Sequence, residues 1–283
     1  MERSGRPGRP AALAVSGPTF GGEVRAAYDT SAKAWSHGPE QIFAAMADAL
    51  VGRSPVALSG AAALDVGTGS GAVTQALVRG GAAVTALDDS LAMLRLARDF
   101  ADRGAAVADV RALPLRTGAV DVVCAGFVLN HLDDPAAALR EMARTVRPGG
   151  AVLASTWARG EEHPVKHATE AALLRHGWTR PEWYSHLKDT TTPLTDTADG
   201  LRAAAAGADL AHVDVQVVRV DIDALPVDTM IAWRTNLPPN APFIAALDPD
   251  ERAQLIGEIR RDLGDGVPPL RLQMVALSSR VAA

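Results

Sequence analysis

Three glycines at alternate positions, Gly67, Gly69 and Gly71, follow the apolar segment 61–66 and could hold a ligand against the backbone. Glycine has no Cβ, so the chain can adopt positive φ angles there and a ligand can approach the main chain closely. We predict that a helix begins directly behind this turn, and the start of a helix offers unpaired N–H groups and a partial positive charge. An anionic or strongly hydrogen-bonding ligand is therefore expected at this turn.

Carboxylates accompany the ends of three predicted strands. Asp65 lies two positions before the first glycine, and Asp88 and Asp109 follow the next two strands. The carboxyl ends of parallel strands meet at one edge of a sheet, where ligands of such folds bind. The G-x-G-x-G spacing differs from the G-x-G-x-x-G of dinucleotide sites. Its acidic surroundings favour a ligand with an ammonium, a diol and an amino-purine over one with phosphates.

Strands and helices alternate over the central part of the chain, which predicts a doubly wound α/β sheet. The predicted strands there are nearly all apolar, as expected when helices cover both faces of a parallel sheet. They span 61–66, 82–87, 105–108, 120–126 and 151–156, with helices at 71–79, 91–102 and 135–146. Two further strands, 210–223 and 270–278, complete a Rossmann-like, seven-stranded sheet, mostly parallel with a C-terminal antiparallel strand.

The remaining segments are predicted to surround this sheet as parts of a single domain, 21–283. Helices at 22–35 and 39–51 form an N-terminal cover (22–52), and residues 1–20, rich in Arg, Gly and Pro, are expected to be disordered. Two insertions, 158–195 and 225–266, are interpreted as lid segments. Helices are predicted at 163–176, 197–206, 227–235 and 249–263, and an irregular segment at 177–195.

Composition excludes several classes of function. The chain has 283 residues, 48% of them hydrophobic, and a net charge of −5, which argues against a general nucleic-acid binder. No apolar run reaches the length of a membrane span. The single cysteine, Cys124, lies in a predicted strand, where we expect it to be buried and inert, and its isolation fits a reducing cytoplasm. A cytoplasmic monomer or homodimer is expected.

Several motifs, in order, carry a family resemblance. The run Asp65-Val66-Gly67-Thr68-Gly69-Ser70-Gly71 resembles motif I of the class I S-adenosylmethionine (SAM)-dependent methyltransferases. The matching segments downstream are Val84–Asp88, Ala108–Val110, Leu113–Leu115, Asp121–Val123, Leu129–Leu132 and Glu141–Gly150. Together they resemble the small-molecule branch of that family over residues 22–157.

The resemblance implies SAM as the cofactor and assigns residues to it. The turn residues Gly67, Thr68, Gly69 and Gly71 suit the amino acid end of SAM, with Asp65 beside them. The two oxygens of Asp88 can accept from both ribose hydroxyls. Asp109 can accept from the adenine amino group and Val110 can donate a backbone N–H. The remaining assignments are Asp89, Phe127 and Tyr28, the last on a helix that covers the cofactor.

Each assignment has a structural alternative. Asp65 could only brace the glycine turn, and Asp109 could be a surface-turn aspartate. Asp88 could cap the following helix, although Asp89 or Ser90 could do that instead, and Ser90 is well placed as its N-cap. Tyr28 and Trp35 are seven residues apart and share one helical face, so they could simply pack.

His131 is the predicted catalytic residue, because it follows the fourth strand and histidine titrates in the range useful for removing a proton. The alternative is a histidine that only braces its loop. His163 and His167 have the i, i+4 spacing of a metal pair, but no third ligand at fixed spacing accompanies them, so no metal is predicted.

The expected activity is methyl transfer to an oxygen, nitrogen or carbon of a small molecule, by analogy a bacterial natural-product intermediate. Aromatic residues concentrated in the lid regions could line its pocket or form the lid's own core. These are Trp157, Trp178, Trp183, Tyr184 and Trp233. The main alternative is an enzyme that binds SAM but catalyses a non-methylating step such as a cyclisation or cycloaddition. A non-catalytic ligand-binding protein is the third possibility, disfavoured because the motif set is intact.

Overall fold

A computed structural model describes residues 21–160, 162–223, 225–264 and 266–282. The tail predicted to be disordered, 1–20, lies outside the described residues. No described helix combines the length and apolar character needed to cross a membrane.

One seven-stranded sheet runs through the protein in the order β3-β2-β1-β4-β5-β7-β6. Its strands are β1 (Ala62–Val66), β2 (Ala83–Asp88), β3 (Ala105–Val107), β4 (Val120–Gly126), β5 (Val146–Trp157), β6 (Leu210–Ile222) and β7 (Leu270–Val281). Strands β1 to β5 pair in parallel, and β7 lies antiparallel between β5 and β6. The predicted Rossmann-like sheet with an antiparallel C-terminal strand is confirmed.

Helices cover both faces of the sheet. They are α1 (Gly21–Trp35), α2 (Pro39–Val51), α3 (Ala72–Arg79), α4 (Leu91–Ala97), α5 (Pro135–Thr145), α6 (Pro164–Arg175), α7 (Glu182–His186), α8 (Ala198–Ala205), α9 (Val227–Thr235), α10 (Ala241–Ala246) and α11 (Pro249–Leu263). Successive side chains of a strand point to opposite faces. Accordingly Ala63 of β1 belongs to the core beneath α2 and α3, while Leu64 belongs to the core beneath α5 and α8. Cys124 of β4 is fully buried, as predicted.

Two predicted boundaries are wrong, for local reasons. Helix α4 ends at Ala97 rather than at 102, because the chain turns back to the sheet and the Asp102 carboxylate accepts the Val84 N–H. Strand β5 begins at Val146 rather than 151. Val146 pairs with Val120, and the turn-like residues that follow, including Gly149 at φ 78°, form an irregular beginning of the strand.

Two short helical segments were not predicted. The segment 177–195, predicted to be irregular, contains α7 followed by helical turns over Leu187–Leu194. Helix α10 has only six residues and begins shortly after two prolines. Six residues are too few to show a 3.6-residue hydrophobic period.

Candidate active site

The glycine turn joins β1 to α3 at the carboxyl edge of the sheet. Gly67, Gly69 and Gly71 all have positive φ angles, of 66°, 57° and 94°. A Cβ on Gly71 would lie 2.9 Å from Phe100 Cδ2 and 3.2 Å from Ala97 Cα, so this glycine lets α3 pack closely against the segment ending α4. Gly67 and Gly69 instead border a cavity.

That cavity, of about 640 Å³, opens along the edge where β1, β2 and β4 end; we call it the first chamber. It gathers most of the residues predicted to bind a cofactor. These are Tyr28, Gly67, Thr68, Gly69, Asp88, Asp89, Asp109, Val110 and Phe127, and the predicted catalytic His131 also lines it. Asp65 and Gly71 are not among the lining residues.

Asp65 lies fully buried beneath the turn. Its Oδ2 accepts from Thr74 Oγ1 at 2.7 Å, and Thr74 in turn shares a 3.0 Å hydrogen bond with Thr68 Oγ1. Burial raises the pKa of the Asp65 carboxyl to about 6. Asp65 Oδ1 has no hydrogen-bond partner among the described residues. The contacts observed are those of a residue that braces the turn, one of the two roles considered for it.

Asp88 links the end of β2 to the glycine turn. One carboxylate oxygen accepts from Gly69 N and the other from Ser90 N, both at 2.8 Å. Ser90, not Asp88, caps α4, because its Oγ accepts from Met93 N at 3.1 Å. Burial raises the pKa of Asp88 to about 6, and the two N–H donors partly oppose that rise. Both oxygens are thus fixed in orientation at the chamber wall.

Asp109 and Val110 follow β3 at the far end of the chamber. The Arg111 guanidinium contacts both Asp109 oxygens, at 2.6 and 2.9 Å, and this pairing holds the pKa of Asp109 below its usual range. Asp109 therefore combines a cavity-lining position with the contacts of a turn aspartate. Each of its oxygens already accepts two hydrogen bonds from Arg111, so a ligand donor would have to share or replace one of them.

Helix α1 is held over the first chamber by a contact that sequence reasoning missed. The Asp29 carboxylate accepts from Ser90 Oγ at 2.6 Å and from Ala92 N at 3.1 Å. Tyr28, its neighbour, lies 3.3 Å from His131 Nε2 through its hydroxyl. Asp29 thus joins helix α1 to the start of α4, and Tyr28 joins it to the loop after β4. In the sequence, the only signal of this arrangement was that Tyr28 and Asp29 are adjacent.

Replacing Asp29 with alanine should loosen α1. Hydrogen bonds to a charged group contribute about 1.5–3 kcal/mol each, so we expect hydrogen exchange of amides in residues 24–32 to accelerate at least tenfold. Asp99→Ala is the matched control, because Asp99 is exposed and, among the described residues, pairs with Arg98 at 3.4 Å. Equal exchange in the two variants would contradict a pinning role for Asp29.

A second, smaller cavity, of about 290 Å³, adjoins the first; we call it the second chamber. Five residues line both chambers: Tyr28, Trp35, Phe43, His131 and Trp157. Their rings form a chain of contacts that runs from His131 through Tyr28, Trp35 and Phe43 to Trp157. Neighbouring ring centroids in this chain are 4.9 to 5.7 Å apart. We call these five the aromatic collar. It forms the boundary at which ligands in the two chambers would meet.

His131 occupies this collar in a neutral form. Burial, together with the nearby Lys188 charge, lowers the pKa of His131 to about 4. Burial likewise raises the pKa of Tyr28 well above its usual range. At neutral pH the contact between them therefore joins an uncharged imidazole to an uncharged phenol.

Phe127 carries backbone strain at the edge of the collar. Its φ is +59°, a region that costs a bulky residue about 1–3 kcal/mol. Its N–H donates to Ser155 O at 2.9 Å, and its ring lies 4.6 Å from that of Trp157. The conformation directs the chain away from β4 directly beside the chamber.

The lid segments contribute most of the second chamber. Of the five aromatic residues singled out there, Trp157, Trp183, Tyr184 and Trp233 line it. Trp178 does not: it is buried in the core, and its Nε1 donates to Pro239 O at 3.0 Å.

The two histidines with metal-like spacing make separate contacts. His163 caps α6 by accepting from Val165 N, while His167 pairs with Glu162. In the part of the chain that the structure describes, no group of three or more His, Cys, Asp or Glu side chains is arranged to hold a metal ion.

The sheet order and the glycine turn at its carboxyl edge define a Rossmann-like fold of the methyltransferase type. Residues 64–154 match the sequence model of the family described as "Methyltransferase domain". The similarity to this family therefore covers the segment from β1 to β5, including the glycine turn.

Similarity to individual proteins agrees with this assignment. Over 116 residues the chain is 38% identical to a malonyl-[acyl-carrier protein] O-methyltransferase of Pseudescherichia vulneris, covering 41% of this chain and 46% of that one. It is 36% identical over 155 residues to a ubiquinone biosynthesis O-methyltransferase of Xanthomonas campestris pv. campestris, covering 53% and 64% of the two chains. The chain thus spans less than two thirds of the curated relatives it matches.

Solved structures share the fold over a greater length. A putative methyltransferase of Haloferax volcanii, in complex with the Trm112 methyltransferase activator, superposes with a TM-score of 0.57 at 22% identity, covering 90% of this chain and 98% of that one. The phosphoethanolamine N-methyltransferase 2 of Haemonchus contortus, in complex with SAM, gives 0.52 at 17% identity, covering 84% and 52%. At these identities the likeness concerns the fold.

Proposed function

We propose that this protein transfers a methyl group from SAM to a small-molecule acceptor. The observation that carries the proposal is the pair of chambers that meet at the aromatic collar. A cofactor in the first chamber and an acceptor in the second would approach each other there, shielded from water. Holding two reactants in line supplies much of the acceleration of a displacement reaction.

The donor and acceptor groups of the first chamber fit SAM. The Asp88 oxygens lie at the wall, where each can accept from a ribose hydroxyl in addition to its backbone donor. Gly69 leaves the turn open, because a Cβ there would find only Met93 Cε, at 3.6 Å. In the part of the chain that the structure describes, the lining contains five carboxylates (Asp88, Asp89, Asp109, Asp133, Asp134) and two arginines (Arg25, Arg111). This acidic surplus suits a cationic ligand.

The collar residues orient and desolvate the reacting centre. When bound, SAM supplies an electrophilic methyl group on a sulfonium whose positive charge is lost on transfer. Aromatic faces attract a cation at short range, so Tyr28, Phe43 and Trp157 favour placing that charge at the boundary between the chambers. They also exclude water from it.

His131 is the residue we propose for proton removal where the acceptor is a hydroxyl or amine. Its ring is neutral at pH 7, so its unprotonated nitrogen can accept a proton. A cationic methyl donor beside His131 would lower the pKa of its imidazole, and once that charge was lost the imidazole could hold the proton released by the acceptor. His131 thus becomes a better base as the reaction proceeds.

The direct test is incubation of the protein with SAM and a panel of phenols, amines and carboxylic acids, with S-adenosylhomocysteine as the measured product. Formation of S-adenosylhomocysteine together with a methylated acceptor is expected. Conversion of a substrate while SAM stays intact would contradict methyl transfer and support the non-methylating alternative. Absence of SAM binding in calorimetry would contradict the cofactor as well.

Cofactor affinity should depend on pH through Asp88. A carboxylate that accepts two hydroxyls must be ionised, and the pKa of this group is about 6. The dissociation constant for SAM is therefore expected to be constant above pH 7 and to rise as the pH falls below 6, by up to tenfold per unit. Calorimetric titrations from pH 5 to 8 measure it. In Asp88→Ala any remaining dependence would report Asp65, whose pKa is also about 6.

We further propose a bacterial natural-product intermediate as the acceptor and a cytoplasmic monomer or homodimer as the working form. The aromatic lining of the second chamber supports a ring-bearing or apolar acceptor. Activity against such a compound and size-exclusion chromatography with light scattering test these points.

A further inference from the structure

The two chambers have opposite charge. Among the described residues, the second chamber is lined by four cations (Arg159, Lys166, Lys188, Arg234) and two carboxylates (Glu162, Asp196), in contrast to the acidic first chamber. That is a surplus of two positive charges in a chain whose net charge is −5. A cavity lined by one sign of charge raises the local concentration of ligands of the other sign.

The cations lie at fixed places around the second chamber. Arg159 contacts both Asp196 oxygens, at 2.9 and 3.0 Å, and Lys166 pairs with Glu162 at 3.2 Å.

Aromatic faces hold the other two cations. Lys188 Nζ lies 5.8 Å from the centre of the Tyr184 ring, and Arg234 Cζ lies 5.3 Å from that of Trp233. Charge and aromatic surface are therefore interleaved along the wall.

Two buried hydrogen-bond donors belong to the same wall. Neither Thr192 Oγ1 nor Trp233 Nε1 has a hydrogen-bond partner among the described residues, although the two side chains are only 9% and 4% exposed. Both atoms are buried from solvent even with the cavity empty, so they are not placed to contact a ligand directly. The donors that remain at the wall are the charged groups of its Lys and Arg side chains. A carboxylate offers acceptors only.

We propose that the second chamber binds a small aromatic carboxylate. The rings of Trp157, Trp183 and Trp233 contact its ring, and the cationic wall contacts its carboxylate. This inference rests on the proposed function, since it identifies the acceptor class of the same site. A cationic methyl donor and an anionic acceptor would then face each other across the collar.

A matched series of probes tests the charge. Benzoate, benzamide and benzylammonium share a ring and differ in charge by one unit each, and phenyl phosphate adds a dianion. We expect a dissociation constant for benzoate at least fivefold below that for benzamide, and weaker binding still for benzylammonium. Acetate should bind at least tenfold more weakly than benzoate. Quenching of tryptophan fluorescence and calorimetry measure these constants, with and without S-adenosylhomocysteine.

The lysines provide a matched control, because the chain has only three and two of them line this chamber. Lys166→Gln and Lys188→Gln should each weaken benzoate binding at least threefold, and the double variant should bind benzoate and benzamide alike. Lys33→Gln, on the exposed side of α1, should change neither constant. All four variants should keep wild-type affinity for S-adenosylhomocysteine.

The outcomes separate the two proposals. Equal affinity for benzoate and benzamide, preference for phenyl phosphate, or no effect of the lysine variants would overturn the aromatic carboxylate. Failure to bind S-adenosylhomocysteine would overturn the proposed function, and benzoate titrations of the protein alone would still decide the acceptor class.

Discussion

Replacing Asp88 with alanine is expected to raise the dissociation constant for SAM at least tenfold at pH 7.5. The variant loses an acceptor for both ribose hydroxyls, and it also frees the Gly69 and Ser90 N–H groups that the carboxylate now holds at 2.8 Å. A hydrogen bond to a charged group contributes about 1.5–3 kcal/mol, and each 1.4 kcal/mol corresponds to tenfold. Isothermal titration calorimetry with SAM measures the loss.

The neighbouring carboxylate provides the control for charge. Asp89→Ala removes an equal charge from the same chamber, but Asp89 is half exposed and contacts Arg25 at 3.6 Å. We expect its affinity for SAM to fall less than threefold. Thermal unfolding of both variants without ligand separates binding from stability. Wild-type affinity in Asp88→Ala would exclude the ribose role.

His131→Ala is expected to lower turnover at least 100-fold at saturating acceptor, for acceptors that must lose a proton. General bases contribute typically 10²–10⁴-fold. The dissociation constant for SAM should change less than threefold, because the side chain lies at the collar rather than at the turn. Initial rates of S-adenosylhomocysteine formation, with the acceptor found in the panel, measure the effect.

Tyr28→Phe separates proton removal from positioning by the Tyr28–His131 contact. It deletes the hydroxyl 3.3 Å from His131 Nε2 and keeps the ring in the collar. If His131 is the base, Tyr28→Phe should lose less than tenfold while His131→Ala loses far more. Equal losses would indicate that His131 only braces its loop. Undiminished turnover in His131→Ala would remove it as a base.

Most of the sheet and the first chamber could be predicted from the sequence, because both depend on short segments with strong local signals. Gly67, Asp88 and Asp109 each end or follow an apolar strand, and a parallel sheet brings such ends to one edge. Ser90 was predicted as the cap of α4, and its hydroxyl accepts the Met93 N–H.

Contacts between distant segments could not be predicted. Asp29 accepts a hydrogen bond from Ser90, which lies 61 positions further along the chain. Lys166 and Lys188 line the second chamber from separate helical segments. Neither relation leaves a periodic pattern in the chain. The different roles of the acidic residues could not be predicted either. Asp65 lies beneath the glycine turn and Asp88 borders the first chamber, and this difference depends on packing alone.

The position of β7 has a consequence for the order in which the protein can assemble. This strand comes last along the described chain, yet it lies inside the sheet, hydrogen-bonded to β5 on one side and β6 on the other. During synthesis, β1 to β5 can pair as they leave the ribosome, whereas β6 has no neighbour in the sheet until residues 270–281 emerge. The valine-rich β6 therefore remains unpaired until β7 has been synthesised. Unpaired strands of this kind are prone to aggregate.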